Sequence, residues 1–323
     1  EAGADTCRVE LGGQLVSVAR FRLDRSSCTY LTLPKEEGLG LGPTAPEVQS
    51  GTEQPAQPWE IRIGAVALTE DQVTYGVWGH HPTAGFDPEY IQISGLELSL
   101  DSLRNRGSDI ALQIRQLAFK ERCGLSVEQT RGRFEMGPEG IALTGFDLTT
   151  RNSHIRADVK TGPGILQTNP AAPLTADAEA DVNTAELALL APSLLPAPLD
   201  NRPLRLHLAA NGTLEELARI GLELSSPGHL ALTVDGTAKY PLDPQRIAAS
   251  ARFRGDLRDP AFLLEILPDT ALRRRVALPE RIGLQGTAAA DRGAYALTSL
   301  LPPRRGRIGL EGRFVRRPPQ YAA

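Results

Sequence analysis

The sequence predicts a mainly β protein: an elongated, curled antiparallel β-sheet, trough-like or solenoidal, with a few short helices. Three observations carry that prediction. Apolar residues alternate with polar ones through most of the chain, as in strands with one buried and one wet face. The 31 Gly and 25 Pro among 323 residues break the chain too often for long helices. Aromatic residues make up 5% against 41% hydrophobic residues overall. Leu, Val, Ile and Ala must therefore supply the burial that larger rings supply in a compact enzyme.

The elements follow in order. Residues 1–33 read as N-terminal strands, with Val9, Leu11, Val16, Val18, Phe21, Leu23, Tyr30, Leu31 and Leu33 in alternation. Residues 34–58 are Gly, Pro, Glu, Gln and Thr in the main, which predicts a flexible polar loop. From Trp59 to 165 the alternation is almost unbroken and predicts a continuous β-ladder, its runs separated by short Gly-, Ser-, Asp- and Asn-rich corners. Within it lies "LAFKERCGLSVEQTRGRFEM", Leu117 to Met136, where a knot of charge, Lys120-Glu121-Arg122, interrupts the apolar series. The knot reads either as a strand-end turn whose charges pair with neighbouring strands or as a rim site for a headgroup or a protein partner.

Residues 166–323 hold two helix-plus-strand repeats, at about 184–240 and 259–316. Pro192 corresponds to Pro268 (268 − 192 = 76), Gly212 to Gly286 (286 − 212 = 74) and Gly236 to Gly312 (312 − 236 = 76). Each repeat opens with a short helix, capped by Thr184 in the first; in the second Asp259 caps and Pro260 takes the first helical position. "TLEELARI", from Thr213 to Ile220, has capping-box spacing between Thr213 and Glu216. The second copy has nothing comparable, so the region is read as strand.

Charge and motifs exclude several functions. A net charge of −4 with only four Lys (Lys35, Lys120, Lys160, Lys239) is no nucleic-acid footprint over the chain. The dense basic stretch, from Arg304 to Arg317, reads as a solvated face, with an acidic lipid surface as the functional alternative. Cys7, Cys28 and Cys123 match no zinc or redox spacing, and a Cys7–Cys28 bridge or buried thiols are both open. His80-His81 sits in a turn-rich loop without further metal ligands at a suitable spacing. No P-loop, nucleophile elbow or HExxH occurs, and "NGT" at Asn211 is explained by a turn. The reading is therefore no enzyme, no catalytic residues, no metal and no cofactor. No run of 18 apolar residues or signal peptide is present, and the start at Glu1 reads as an internal piece of something longer whose anchor lies elsewhere. Pattern alone leaves two fates for the apolar face, a packed core or an open groove for a flexible apolar ligand.

The stretch from Phe86-Asp87-Pro88 through Phe119-Lys120-Glu121-Arg122, Gly124-Leu125 and Leu148-Thr149-Thr150 to Ser153 resembles the AsmA-like proteins of the TamB type, in their Bacteroidetes-like form. The preceding "WEIRIGAVALTEDQVTYGV" and the helix-plus-strand repeats resemble the flanking parts, so that most of residues 59–315 is covered. The resemblance implies a taco-shaped β-trough in the periplasm, anchored to the inner membrane by a segment missing here. It implies phospholipid acyl chains as cargo moving toward the outer membrane, and a TamA-like outer-membrane partner engaged through parts absent from this chain. Under it, the groove is lined by Ile91, Ile93, Leu96, Leu98, Leu100, Ile110, Leu112, Ile114, Leu117, Phe119, Leu125, Val127, Ile141, Leu143, Phe146 and Leu148. The alternative is a structural or interaction stalk with a packed β core and no lipid transport.

Overall fold

The computed structural model describes residues 2–33, 58–165, 169–190, 202–213, 215–241, 243, 246–258, 280–291, 294–301 and 308–315. The chain is mainly β, in open sheet not closed into a barrel. It divides into two compact units, 1–131 and 132–323, with the boundary inside one strand, β7 (Ser126–Gly137).

In the first unit β4 (Glu60–Val77) is the spine. On one side it pairs antiparallel with β5 (Tyr90–Arg106), which pairs with β6 (Asp109–Glu121). On the other side β2 (Leu15–Asp24) and β3 (Ser27–Thr32) run end to end along it, both parallel to it. β1 (Ala2–Glu10) pairs antiparallel with β2. The sheet is thus mixed where alternation alone suggested antiparallel pairing throughout. A parallel neighbour needs a long return connection, and the polar stretch after Leu33, most of it outside the described residues, has the length for one. The break between β2 and β3 falls at Arg25, at φ +50°, and is fastened by Asp71, whose carboxylate accepts the amides of Ser26 (2.7 Å) and Thr69 (3.1 Å).

The long strands of this unit are repeatedly bulged. The register slips between Leu68 and Asp71, Ser94 and Glu97, and Leu100 and Ser102. Each slip inserts an extra residue, so that apolar residues three apart, such as Ile93 and Leu96 or Leu100 and Leu103, stay on one face. Gly95, at φ +58°, supplies the backbone conformation for the first of these.

The second unit is a meander in sequence order, the arrangement its alternation predicts. β8 (Gly140–Thr150), β9 (His154–Thr161), β10 (Pro173–Asn183), β11 (Pro203–Thr213), β12 (Glu216–Ser226), β13 (Leu230–Lys239), β14 (Ala248–Arg258), β15 (Arg281–Asp291), β16 (Ala294–Leu301) and β17 (Ile308–Val315) each pair antiparallel with the next. The repeat landmarks advance by four strands: Gly212 and Gly286 lie in β11 and β15, Gly236 and Gly312 in β13 and β17.

One short helix, α1 (Thr184–Leu190), is present among the described residues, between β10 and β11. Its cap is Asn183 rather than Thr184: the Asn183 side-chain oxygen accepts the Ala185 amide at 2.9 Å. Thr184 is fully buried, and its hydroxyl accepts the Arg202 amide at 2.7 Å. The helix expected at Asp259-Pro260 lies outside the described residues. The Thr213–Glu216 spacing makes its local hydrogen bond, Glu216 N to Thr213 Oγ1 at 2.9 Å, but there it closes the β11–β12 hairpin. Gly212, at φ +146°, carries the bulge beside it, and a Cβ there would stand 2.3 Å from the Glu216 carbonyl oxygen.

Candidate functional site: an uncharged sheet face

Residues directly opposite in neighbouring strands share a face, so the register gives the composition of each face without ambiguity. In the second unit three rows cross from β8 to β15. One runs Leu148, Ile155, Ala180, Leu206, Leu224, Leu232, Gly255, Leu284; the next Phe146, Ala157, Ala178, Leu208, Leu222, Val234, Phe253, Gly286; the third Leu143, Val159, Ala176, Ala210, Ile220, Gly236, Ala251, Ala288. No charged or polar side chain interrupts any of them. At about 4.8 Å per strand, each row has a contour of about 34 Å, close to the roughly 30 Å hydrocarbon thickness of a bilayer.

All of these residues except Ala180 remain partly exposed. Each strand packs against its sheet neighbours, and α1 touches β10. A packed core would bury these side chains fully.

The opposite face of the same strands is charged, with opposite signs meeting along much of it and like charges at Asp158–Asp177 and Arg258–Arg281. One of its rungs runs Asp147, Arg156, Glu179, His207, Glu223, Thr233, Arg254. Ion pairs reinforce it: Arg156–Asp147 at 3.6 Å, His154–Asp147 at 3.1 Å, Arg205–Asp181 at 2.9 Å and His207–Asp177 at 3.2 Å. Arg281 donates to Asp256 at 2.7 Å and holds that carboxyl below its usual range. A one-residue slip would bring this ladder onto the apolar side, so the charges fix the register that keeps the face uniform.

The first unit has a related face. Its rows run Leu23, Leu68, Leu98, Leu117; then Phe21, Val66, Leu100, Ile114; then Val18, Ile63, Leu103, Leu112. Of the predicted lining residues, Ile91, Ile93, Leu96, Leu98, Leu100, Ile110, Leu112, Ile114 and Leu117 are brought together here. Phe119 shares their side of β6, while Leu125 lies just before β7 and Val127 at its start, buried. Ile141, Leu143, Phe146 and Leu148 belong to the second unit's face. The predicted lining stops at Leu148, short of the rows from β9 to β15, although alternation and the repeat both mark those strands.

Carboxylates enter the first unit's face and are all occupied structurally. Asp71 is opposite Leu96, and Glu121 opposite Ile93. Burial pushes the Glu121 carboxyl up, but hydrogen bonds from Cys123 and from the Gln92 amide outweigh it and hold it below the usual value. Arg122 donates to the carbonyls of Thr83 (2.8 Å) and Gly85 (3.1 Å), with its guanidinium 5.7 Å from the Tyr90 ring centroid. The charged knot is thus a turn that fastens the 78–89 loop.

Inside that loop Asp87, itself buried, meets His80 Nε2 at 2.7 Å, the amides of Thr83 (2.8 Å) and Glu89 (3.0 Å), and the Thr83 hydroxyl (3.1 Å). The His80 contact first, then these donors, hold its carboxyl well below the usual carboxylate range. His80 Nδ1 lies 3.0 Å from Glu89, and the ring donates to both carboxylates only when doubly protonated.

In the second unit Glu186 of α1 is buried and accepts from the hydroxyls of Thr150 (2.6 Å) and Ser153 and from the Asn152 amide (3.1 Å). It latches the helix to the β8–β9 turn. Of the residues on which the resemblance was read, Asp87, Glu121, Arg122, Thr150 and Ser153 fasten loops.

Among the described residues no group of three or more His, Cys, Asp or Glu side chains is placed to hold a metal, and no helix is long and apolar enough to cross a membrane. Cys7 and Cys28 are free. Cys7 pairs with Val18, opposite Ile63, and Cys28 pairs with Val73, so ten positions along β4 (73 − 63 = 10) hold them on the order of 30 Å apart, too far for a bridge. Burial, then a hydrogen bond to Glu121, raises the Cys123 thiol pKa. The basic side chains from Arg304 to Arg317 lie outside the described residues.

No protein-family model, no curated protein and no solved structure matches this chain.

Proposed function

We propose that the uncharged sheet face holds phospholipid acyl chains. On this reading the chain is the periplasmic segment of a bridge-like protein that carries lipid between inner and outer membrane. It is anchored through a part not in this sequence, works with a TamA-like outer-membrane partner through other missing parts, and aids outer-membrane protein assembly. The observation that carries the reading is the three rows from β8 to β15, apolar at every position, partly exposed in all but Ala180, and backed by a charged ladder that fixes their register.

The energetics suit movement. An acyl chain gains about 0.8 kcal/mol per methylene fully withdrawn from water, and a tail lying on one open face gains only part of that. Leu, Val, Ile and Ala follow one another without a polar anchor, so one position along a row holds a methylene much as the next does. Such a surface binds weakly everywhere and lets a tail slide.

The test is extraction. The chain, purified without detergent and extracted into organic solvent, yields phospholipid by mass spectrometry on this reading, and Leu208→Asp with Leu222→Asp reduces the yield at least tenfold while the far-UV circular dichroism is unchanged. Folded protein without lipid in either form would support the stalk instead.

A further inference from the structure

The loop that joins β4 to β5, residues 78–89, is closed by one imidazole ring held between two carboxylates. His80 Nε2 lies 2.7 Å from Asp87, and Nδ1 lies 3.0 Å from Glu89. The Asp87 side chain is 4% exposed, the ring 21% and the Glu89 side chain 60%, so the contacts run from the inside of the loop out to water. Asp87 also ties the rest of the loop together. Its carboxylate accepts the amides of Thr83 and Glu89, and its carbonyl accepts the Tyr90 amide at 3.0 Å.

Charge around the ring is one-sided. Among the described residues no Lys or Arg pairs with either carboxylate, and His80 is their only cationic contact. Arg122, reaching in from the turn after β6, donates instead to the carbonyls of Thr83 and Gly85. Glu121 of the same turn adds a further negative charge, engaged by the amides of Gln92 and Cys123. His81, the next residue along, makes no ion pair among the described residues. A neutral imidazole has one N–H and one lone pair. It can donate to Asp87 or to Glu89, and the nitrogen left bare then turns its lone pair on a carboxylate oxygen. Only the doubly protonated ring satisfies both contacts, and it alone brings a positive charge to the buried Asp87. That carboxyl stays ionised, because the His80 contact and then the loop donors hold it well below the usual carboxylate range.

We propose that His80 is a pH-sensitive clasp: doubly protonated, it closes the 78–89 loop between Asp87 and Glu89, and loss of one ring proton opens the loop. This goes beyond the lipid reading and does not depend on it. Closure is complete on the acid side of the ring's titration and is lost as pH rises through it. Imidazole is the side chain that ordinarily exchanges a proton in the neutral range. Glu89, the exposed partner, swings into water first, and the Asp87 charge is then left buried without a counter-ion. Opening reaches the turn after β6 as well, because the carbonyls that hold Arg122 belong to the loop.

Hydrogen exchange of the Thr83 amide, which donates to Asp87, tests the proposal in the full 323-residue chain. Rates are corrected for the intrinsic pH dependence of exchange and followed together with the His80 ring resonances from about pH 5 to about pH 8. Protection is expected to fall about tenfold, the measure of one charge-assisted hydrogen bond lost, with the midpoint of the ring titration. Glu89→Gln separates the clasp from a merely structural contact. Its side-chain amide accepts from the doubly protonated ring and donates to a bare Nδ1, so the Thr83 amide is expected to stay protected over the whole range. Protection that does not change while His80 titrates, a ring that keeps one protonation state throughout, or a Glu89→Gln chain that loses protection as the unsubstituted one does, would each overturn it.

Discussion

The first unit is built on strands of 18 and 17 residues, β4 and β5, and the second on strands of 8 to 11. That difference accounts for most of what separates their faces. A long twisted strand stays in register with its neighbours only by inserting bulges, and bulges and breaks leave backbone amides that need acceptors. Asp71 and Glu121 supply them, and so carboxylates enter the first unit's apolar side. In the second unit, short strands return before much twist accumulates. Among the described pairings the register slips between Leu143 and Phe146, at Asn211–Gly212 and between Leu217 and Ile220, and the buried carboxylate, Glu186, belongs to α1 and accepts from Thr150 at the end of β8, outside the three rows. Uniformity of the face is thus a consequence of strand length.

The comparison can be broken most forcefully at Glu186. Glu186→Ala leaves the buried Thr150 and Ser153 hydroxyls without their acceptor. Hydrogen bonds to a charged acceptor are worth about 1.5–3 kcal/mol each and do not add fully, so the expected loss is about 3 kcal/mol in denaturant unfolding of the second unit, with Glu186→Gln recovering part. An unchanged midpoint would mean that α1 does not depend on the latch.

Acid gives a smaller effect that separates the units. Asp87 and Glu121 both have depressed pKa values in the folded protein, so their stabilisation is present above the unfolded carboxylate range, near pH 4, and is lost as pH falls through the folded values. Asp256 in the second unit is also depressed, but by an exposed pair with Arg281 that counts for little. Hydrogen exchange below pH 4 is expected to release the amides of Thr83, Glu89 and Cys123 before those of β11 to β13. Simultaneous release would remove the distinction.

Much of this architecture was legible in the sequence. Alternation marked nearly every described strand, and offsets of 74 and 76 residues correspond to an advance of four strands. What could not be read is physically instructive. A slip of phase, as from Ile93 to Leu96 or Leu143 to Phe146, looks like a turn between short strands but is a bulge within one. The parallel pairing of β2 and β3 with β4 depends on partners 45 residues away (Ile63 against Val18, 63 − 18 = 45; Val73 against Cys28, 73 − 28 = 45), which no local pattern encodes. Local sequence left the charged knot open between a strand-end turn and a rim site because the acceptors of Arg122, the carbonyls of Thr83 and Gly85, lie 39 and 37 residues away. The rows across β9 to β15 were undervalued because their Ala and Gly carry little hydrophobic signal one at a time, and become a surface only once the register aligns them.

The most direct measurement of the central claim is site-specific photo-crosslinking in bacterial cells, with a benzophenone amino acid at Leu98, Leu143 and Leu208 on the apolar faces and at Glu97, Glu179 and Glu223 on the charged ones. The account predicts labelled phospholipid captured at the first three positions and not at the others. Equal capture on both sides, or none on either in folded protein, would contradict it.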